Sequence, residues 1–195
     1  CLIDEYRREM DCPVLSVVQA GAESAAHRPE KRVGVISTCF TASTGCYPAL
    51  IAQLAPEKKV FSRGYKNLAA MVEHGASQQE IDEELRENLD GLVHQDQVEC
   101  CTHYPLVEEN IRRLYPQLQL VDPADRMARE LERCLKETRQ ISRRSEPGTL
   151  EIYTTADPQE YIRAARRAGL EGVITAQSWP AMKLEKKQKK KEKDA

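Results

Sequence analysis

Short apolar runs rich in β-branched residues alternate along this chain with stretches of helical period. Cys12–Val18 and Val33–Thr38 are runs of the first kind, and each predicts a buried strand. Val60-Phe61 predicts a short strand, and Leu118–Asp122 and Leu150–Thr155 predict two more. Val98–Cys101 reads as another, although Gln95, Asp96 and Gln97 precede it. Between these runs, Leu2–Met10 reads as the end of a helix and Gly21–His27 as the opening of one. Thr41–Gly45 is a turn, and a helix begins over Tyr47–Leu54. Gln78–Leu92 sets Ile81, Leu85, Leu89 and Leu92 on one face and charges on the other, an amphipathic helix. Pro105–Tyr115 predicts a helix with proline in its first turn, where a missing N–H costs nothing. Ala124–Thr138 predicts a long helix with Met127, Leu131, Cys134 and Leu135 inward. A polar loop, Arg139–Gly148, precedes the last strand, and Pro158–Ala168 is a final helix. Strands alternating with helices predict an α/β fold, a parallel sheet covered on both faces. The chain has no visible internal repeat.

The 195 residues suffice for one sizeable core or two small ones. A net charge of -2 gives no global field that would draw nucleic acid, which is not an expected partner. No apolar run approaches the roughly 18 residues of a membrane helix, so no membrane partner is expected either. The chain begins at Cys1, and its true start is expected upstream. Seven cysteines, without the spacing of a disulfide framework, predict free thiols in a reducing compartment, the cytoplasm. Most of them should be small buried hydrophobes. The segment Lys183–Ala195 carries seven lysines and three acids, and is expected to be a disordered, solvated tail.

Two predicted strand–helix junctions carry unusual polar groups, at the strand ends where parallel sheets bind ligands. The first is Thr38-Cys39-Phe40-Thr41-Ala42-Ser43-Thr44-Gly45. Its four hydroxyls suit a carboxylate, or equally the capping of a helix. The second is Cys100-Cys101-Thr102-His103-Tyr104-Pro105. A thiol at a helix N-terminus gains thiolate character from the helix dipole, and His103 is a proton partner two residues on. Cys-Cys-x-His also supplies metal ligands, but no second pair at zinc spacing follows. A buried structural thiol remains the plain alternative.

Cys101-Thr102-His103-Tyr104-Pro105-Leu106 resembles the second cysteine motif of glutamate racemases, in the aspartate/glutamate racemase family. Val33–Thr38 with Thr41, Gly45 and Tyr47 is similar to that family's threonine-rich loop, and Met71–Gly75 to its acid segment. Cys12-Pro13-Val14, Leu120-Val121-Asp122 and Tyr153–Asp157 extend the resemblance over roughly Ile3 to Gly172, with Ala156 where glycine is usual. The resemblance implies two similar parallel-sheet lobes, the first incomplete. Residues 1–20 with 122–178 would form the remnant of that first lobe, 21–121 the second lobe with the Cys-Thr-His motif, and 183–195 the tail. It also implies interconversion of L- and D-glutamate without cofactor or metal, for peptidoglycan synthesis, by two thiols on opposite faces of the α-carbon. By motif, Cys101 is one base and acid, Thr102 contacts substrate, His103 tunes or relays the proton, and Glu73 orients His103. Thr38 and Thr41 face the same cleft. Glutamate is the implied partner, and a homodimer is compatible with the resemblance. Cys1, followed by Leu2-Ile3, does not match the family's first cysteine. The opposing thiol is therefore expected before residue 1 or not at all, and the chain alone is expected to be inactive. Racemisation of aspartate or a hydantoin, and a non-catalytic racemase-like module, are the alternatives.

Overall fold

Strand β1 (Arg32–Thr38) shows how the sequence builds the first half of the molecule. It is buried over five consecutive residues, Val33 to Ser37, as a parallel strand covered on both faces should be. The computed structural model describes residues 3–93, 107–144, 146, 148–155, 157–167 and 169–178. They fall into two compact units, Cys1–Arg143 and Arg144–Ala195.

In the first unit, β1 pairs in parallel with β2 (Lys59–Tyr65), Val33 opposite Val60 and Thr38 opposite Tyr65. Two short helices, α3 (Cys39–Thr44) and α4 (Cys46–Leu54), make the crossover between them. Side chains alternate across a strand, so β1 feeds two cores. Val33 and Val35 pack with Ala22 and Ala25 of α2 (Val17–Ala26) and with Tyr47 and Ile51 of α4. Ile36 turns the other way. It packs with Tyr65, with Leu68 of α5 (Leu68–His74), with Leu85 and Leu89 of α6 (Gln78–Val93), and with Ile111 of α7 (Glu108–Leu114). The unit also holds α1 (Ile3–Glu9), which has no buried residue, and α8 (Pro123–Glu137). Helix α8 lies against α2: a Cβ on Gly21 would stand 3.3 Å from Pro123, and Arg126 pairs with Glu23.

The second unit is a β–α–β element. Strands β3 (Thr149–Thr154) and β4 (Val173–Ser178) pair in parallel, Thr149 opposite Val173, joined through α9 (Pro158–Arg167). Among its described residues only Thr154 and Ala165 are buried.

Several expectations need correction. Cys12–Val18 is not a strand: Pro13–Ser16 is irregular and α2 begins at Val17. A strand needs a neighbour for its backbone groups, and no described strand pairs with this segment. Ser16 instead caps α2, its hydroxyl accepting from the Gln19 N–H at 3.2 Å. Leu118–Asp122 is irregular for the same reason. Leu118 is buried in the α6–α7 core, while the Asp122 carboxylate caps α8 by accepting from the Ala124 N–H at 2.7 Å. Thr41–Gly45 is mostly helix α3, closed by Gly45 at φ 65. Leu131 is 48% exposed rather than inward. Helix α5 and strand β4 carried no sequence expectation. The expected strand Val98–Cys101, the burial of Leu92 and the tail 183–195 lie outside the described residues. No described helix is long and apolar enough to cross a membrane.

Candidate active site

The carboxyl end of β1 runs straight into α3. Thr38 is the last strand residue and the helix N-cap, with φ -62 and ψ 153. Its Oγ1 accepts from the Thr41 N–H at 3.3 Å and lies 3.1 Å from the Thr41 hydroxyl. The remaining hydroxyls turn back onto the helix: Ser43 donates to the Phe40 carbonyl at 2.8 Å and Thr44 to the Thr41 carbonyl at 2.6 Å. Of the four hydroxyls noted in the sequence, Thr38 and Thr41 form a pair at the strand end, and Ser43 and Thr44 close the helix. Both threonines are half-buried, whereas Cys39 and Phe40 between them are exposed, Phe40 by 80%. The helix has no acid in its first turn.

The loop rests on β2. Gly64, opposite Ser37, lies so close to α3 that a Cβ there would stand 2.7 Å from the Cys39 Cα and 3.2 Å from the Ala42 Cβ. Ser37 is buried, and its hydroxyl donates to the Thr38 carbonyl at 3.2 Å. Neither residue was singled out in the sequence. A glycine inside a strand-like run is the available signal, because it marks a close backbone approach.

Glu73 sits on the last turn of α5, which follows β2 and ends at Gly75 with φ 73. It is exposed, as is His74. Cys101, Thr102 and His103 lie outside the described residues, so the structure relates neither Glu73 nor the threonine pair to them. The helices that flank the motif are described. Asp82 of α6 is buried and receives Asn110 Nδ2 at 2.7 Å and the Arg113 guanidinium at 2.7 and 2.9 Å. Those bonds from Arg113, offset in part by burial, hold the Asp82 carboxyl below its ordinary pKa. Tyr115 donates to Asp90 at 2.6 Å, and burial followed by that bond raises its phenol pKa. The thiols also depart from expectation. Cys12 and Cys39 are exposed rather than buried, Cys134 is half-buried, and Cys46 is disulfide-bonded.

This fold has counterparts among known proteins. Residues 1–131 match the family model for Asp/Glu/hydantoin racemase. The chain belongs to that racemase family. A glutamate racemase of Limosilactobacillus reuteri is 30% identical over 167 residues, 83% of this chain and 62% of the relative. One from Trichormus variabilis is 36% identical over 127 residues, 63% of this chain and 43% of the relative. The chain thus spans less than two thirds of the length of these curated racemases. Among solved racemase structures, glutamate racemase isoform RacE1 from Bacillus anthracis aligns with a TM-score of 0.79 at 23% identity, over 91% of this chain and 68% of that one. The Francisella tularensis glutamate racemase, in complex with D-glutamate, aligns with a TM-score of 0.77 at 22% identity, over 90% and 66%. At these identities the structural likeness is one of fold, and it bears out the α/β, parallel-strand expectation.

Proposed function

We propose that this chain carries one side of the catalytic cleft of a cofactor-independent glutamate racemase. The observation that supports it most directly is the Thr38–Thr41 pair at the carboxyl end of β1, in a chain whose residues 1–131 match the racemase family. Two adjacent hydroxyls there can donate to a substrate carboxylate. The D-glutamate in the Francisella relative supports glutamate as that substrate. In this reading Cys101 takes or returns the α-proton, Thr102 contacts substrate, His103 relays or tunes the proton, and Glu73 orients His103. A second thiol, supplied from the opposite side of the cleft, completes the inversion. Residues 1–20 and 122–178 belong with that opposite lobe, and 21–121 form the lobe that carries the threonine pair and the Cys-Thr-His motif. General acid–base catalysis contributes about 10²–10⁴-fold, and a dry cleft with oriented donors must supply the rest. The product serves peptidoglycan synthesis, and the compartment is the cytoplasm, where the disulfide at Cys46 would be reduced.

The test is exchange of the glutamate α-proton with D₂O, followed by NMR for each enantiomer separately. Exchange that Cys101→Ala abolishes and Thr38→Val slows supports the reading. Exchange indifferent to Cys101→Ala would sink it.

A further inference from the structure

The glycines of this chain differ in why they are glycine. Gly45 and Gly75 hold positive φ, so their backbone demands them. Gly64 does not: it is absent from the positive-φ positions and pairs regularly in β2. Its backbone would accept any residue, and what forbids a side chain is the neighbour. The atom a Cβ would strike is Cys39 Cα at 2.7 Å, with Cys39 N at 3.2 Å behind it. Those are backbone atoms in the first turn of α3. They cannot swing aside as a side-chain tip would, so relief requires α3 to move. Cys39 lies directly between Thr38 and Thr41, the two residues whose hydroxyls stand 3.1 Å apart.

We infer that Gly64 is a positioning residue for the threonine pair: by having no side chain it sets how deeply the first turn of α3 sits on β2, and thereby the spacing of the two hydroxyls. The inference rests on the proposed function only for its consequence in glutamate binding. The geometric part stands on the contact itself. Alanine at 64 lifts the first turn of α3 and loosens the bond from the Thr41 N–H to Thr38 Oγ1. Valine lifts it further. Strand β2 keeps its pairing, because the ladder to β1 uses backbone groups that substitution leaves in place.

The experiment uses the ¹⁵N-labelled 195-residue chain with Gly64→Ala, Gly64→Val and, separately, Thr38→Val. Amide shifts and hydrogen exchange at Thr41 and Ala42 are read first, against those at Leu85 and Ile111 in the far core. Graded shifts and faster exchange at Thr41, larger for valine than for alanine, with the core amides unmoved, are expected. Unchanged Thr41 and Ala42 amides in a folded Gly64→Val protein would overturn the inference, as would equal disturbance of the core amides. L- and D-glutamate are then titrated into each protein. Loss of one hydrogen bond to a charged group predicts weakening by about tenfold or more in Thr38→Val and Gly64→Val. If the unsubstituted chain binds no glutamate, or Thr38→Val leaves its binding unchanged, the racemase reading of the loop fails. The Thr41 amides still decide the role of Gly64.

Discussion

A carboxylate that is 7% exposed needs partners, and Asp82 has them in Asn110 and in both terminal nitrogens of Arg113. Because the folded pKa of Asp82 lies below its ordinary value, its contribution to stability is present above the unfolded pKa, about 3.9 for aspartate. That contribution is lost as pH falls through the folded value. Resistance to denaturant should therefore fall below about pH 4 in the parent, and Asp82→Asn should flatten that slope, since its amide does not titrate. At neutral pH, Asp82→Ala should cost about 1–2 kcal/mol; Arg113 is half-exposed and can turn to water, which keeps the loss modest. A pH slope unchanged by Asp82→Asn would show that the native carboxyl is not the group responsible.

At the scale of elements, α6 is the clearest case of pattern becoming structure. Ile81, Leu85 and Leu89 recur at helical spacing, and all three are buried against Ile36, Tyr65 and Ile111. Leu85→Ala removes a fully buried side chain, and should cost about 2–5 kcal/mol in urea unfolding, depending on how far the site collapses. A loss under 1 kcal/mol would mean that this core is not packed as described. Strand β1 and helices α6, α8 and α9 were legible because their periodicity is written into their own residues. Cys12–Val18 and Leu118–Asp122 have the same apolar, β-branched character and are not strands. Whether such a run becomes a strand depends on a partner elsewhere in the chain, which its own composition does not encode. Helix α5 escaped notice because its seven residues, Leu68 to His74, carry too little periodicity to read. For the site, four hydroxyls were visible in sequence, but which two pair and which two cap depends on where β1 ends, and that end lies at Thr38.

For the molecule as a whole, the decisive quantity is the number of bases around one carbon. Inversion needs an acceptor and a donor on opposite faces. In the proposed reading, the chain offers Cys101 on the side of the threonine pair. Cys39 and Cys46 share that side, since they open α3 and α4, the two helices that follow β1. The 195-residue chain assayed alone should therefore leave the circular dichroism of L-glutamate unchanged. Supplying the segment that carries the family's first cysteine should produce decay of that signal, and Cys101→Ala should then stop it. Robust racemisation by the chain alone, sensitive to Cys101→Ala, would show that the two-base requirement is met in another way.

The exposed, irregular stretch from Gln140 to Arg144 has a practical consequence. A protease must draw several residues of backbone into an extended conformation before it can cut, and the resistance of a segment is the free energy of opening it. Here the stretch is exposed and lies in no helix or strand, which keeps that cost low, and Arg143 and Arg144 supply the side chains trypsin selects. Brief digestion should cleave at these arginines before any site within α6 or β1. The larger fragment should persist, because Val33, Ile36 and Leu85 remain sealed inside it. The smaller should vanish quickly, since a β–α–β element whose described residues bury only Thr154 and Ala165 has little to slow its digestion. Mass spectra over a time course would show it: a long-lived species ending at Arg143 or Arg144, with no counterpart spanning β3 to β4 surviving beside it.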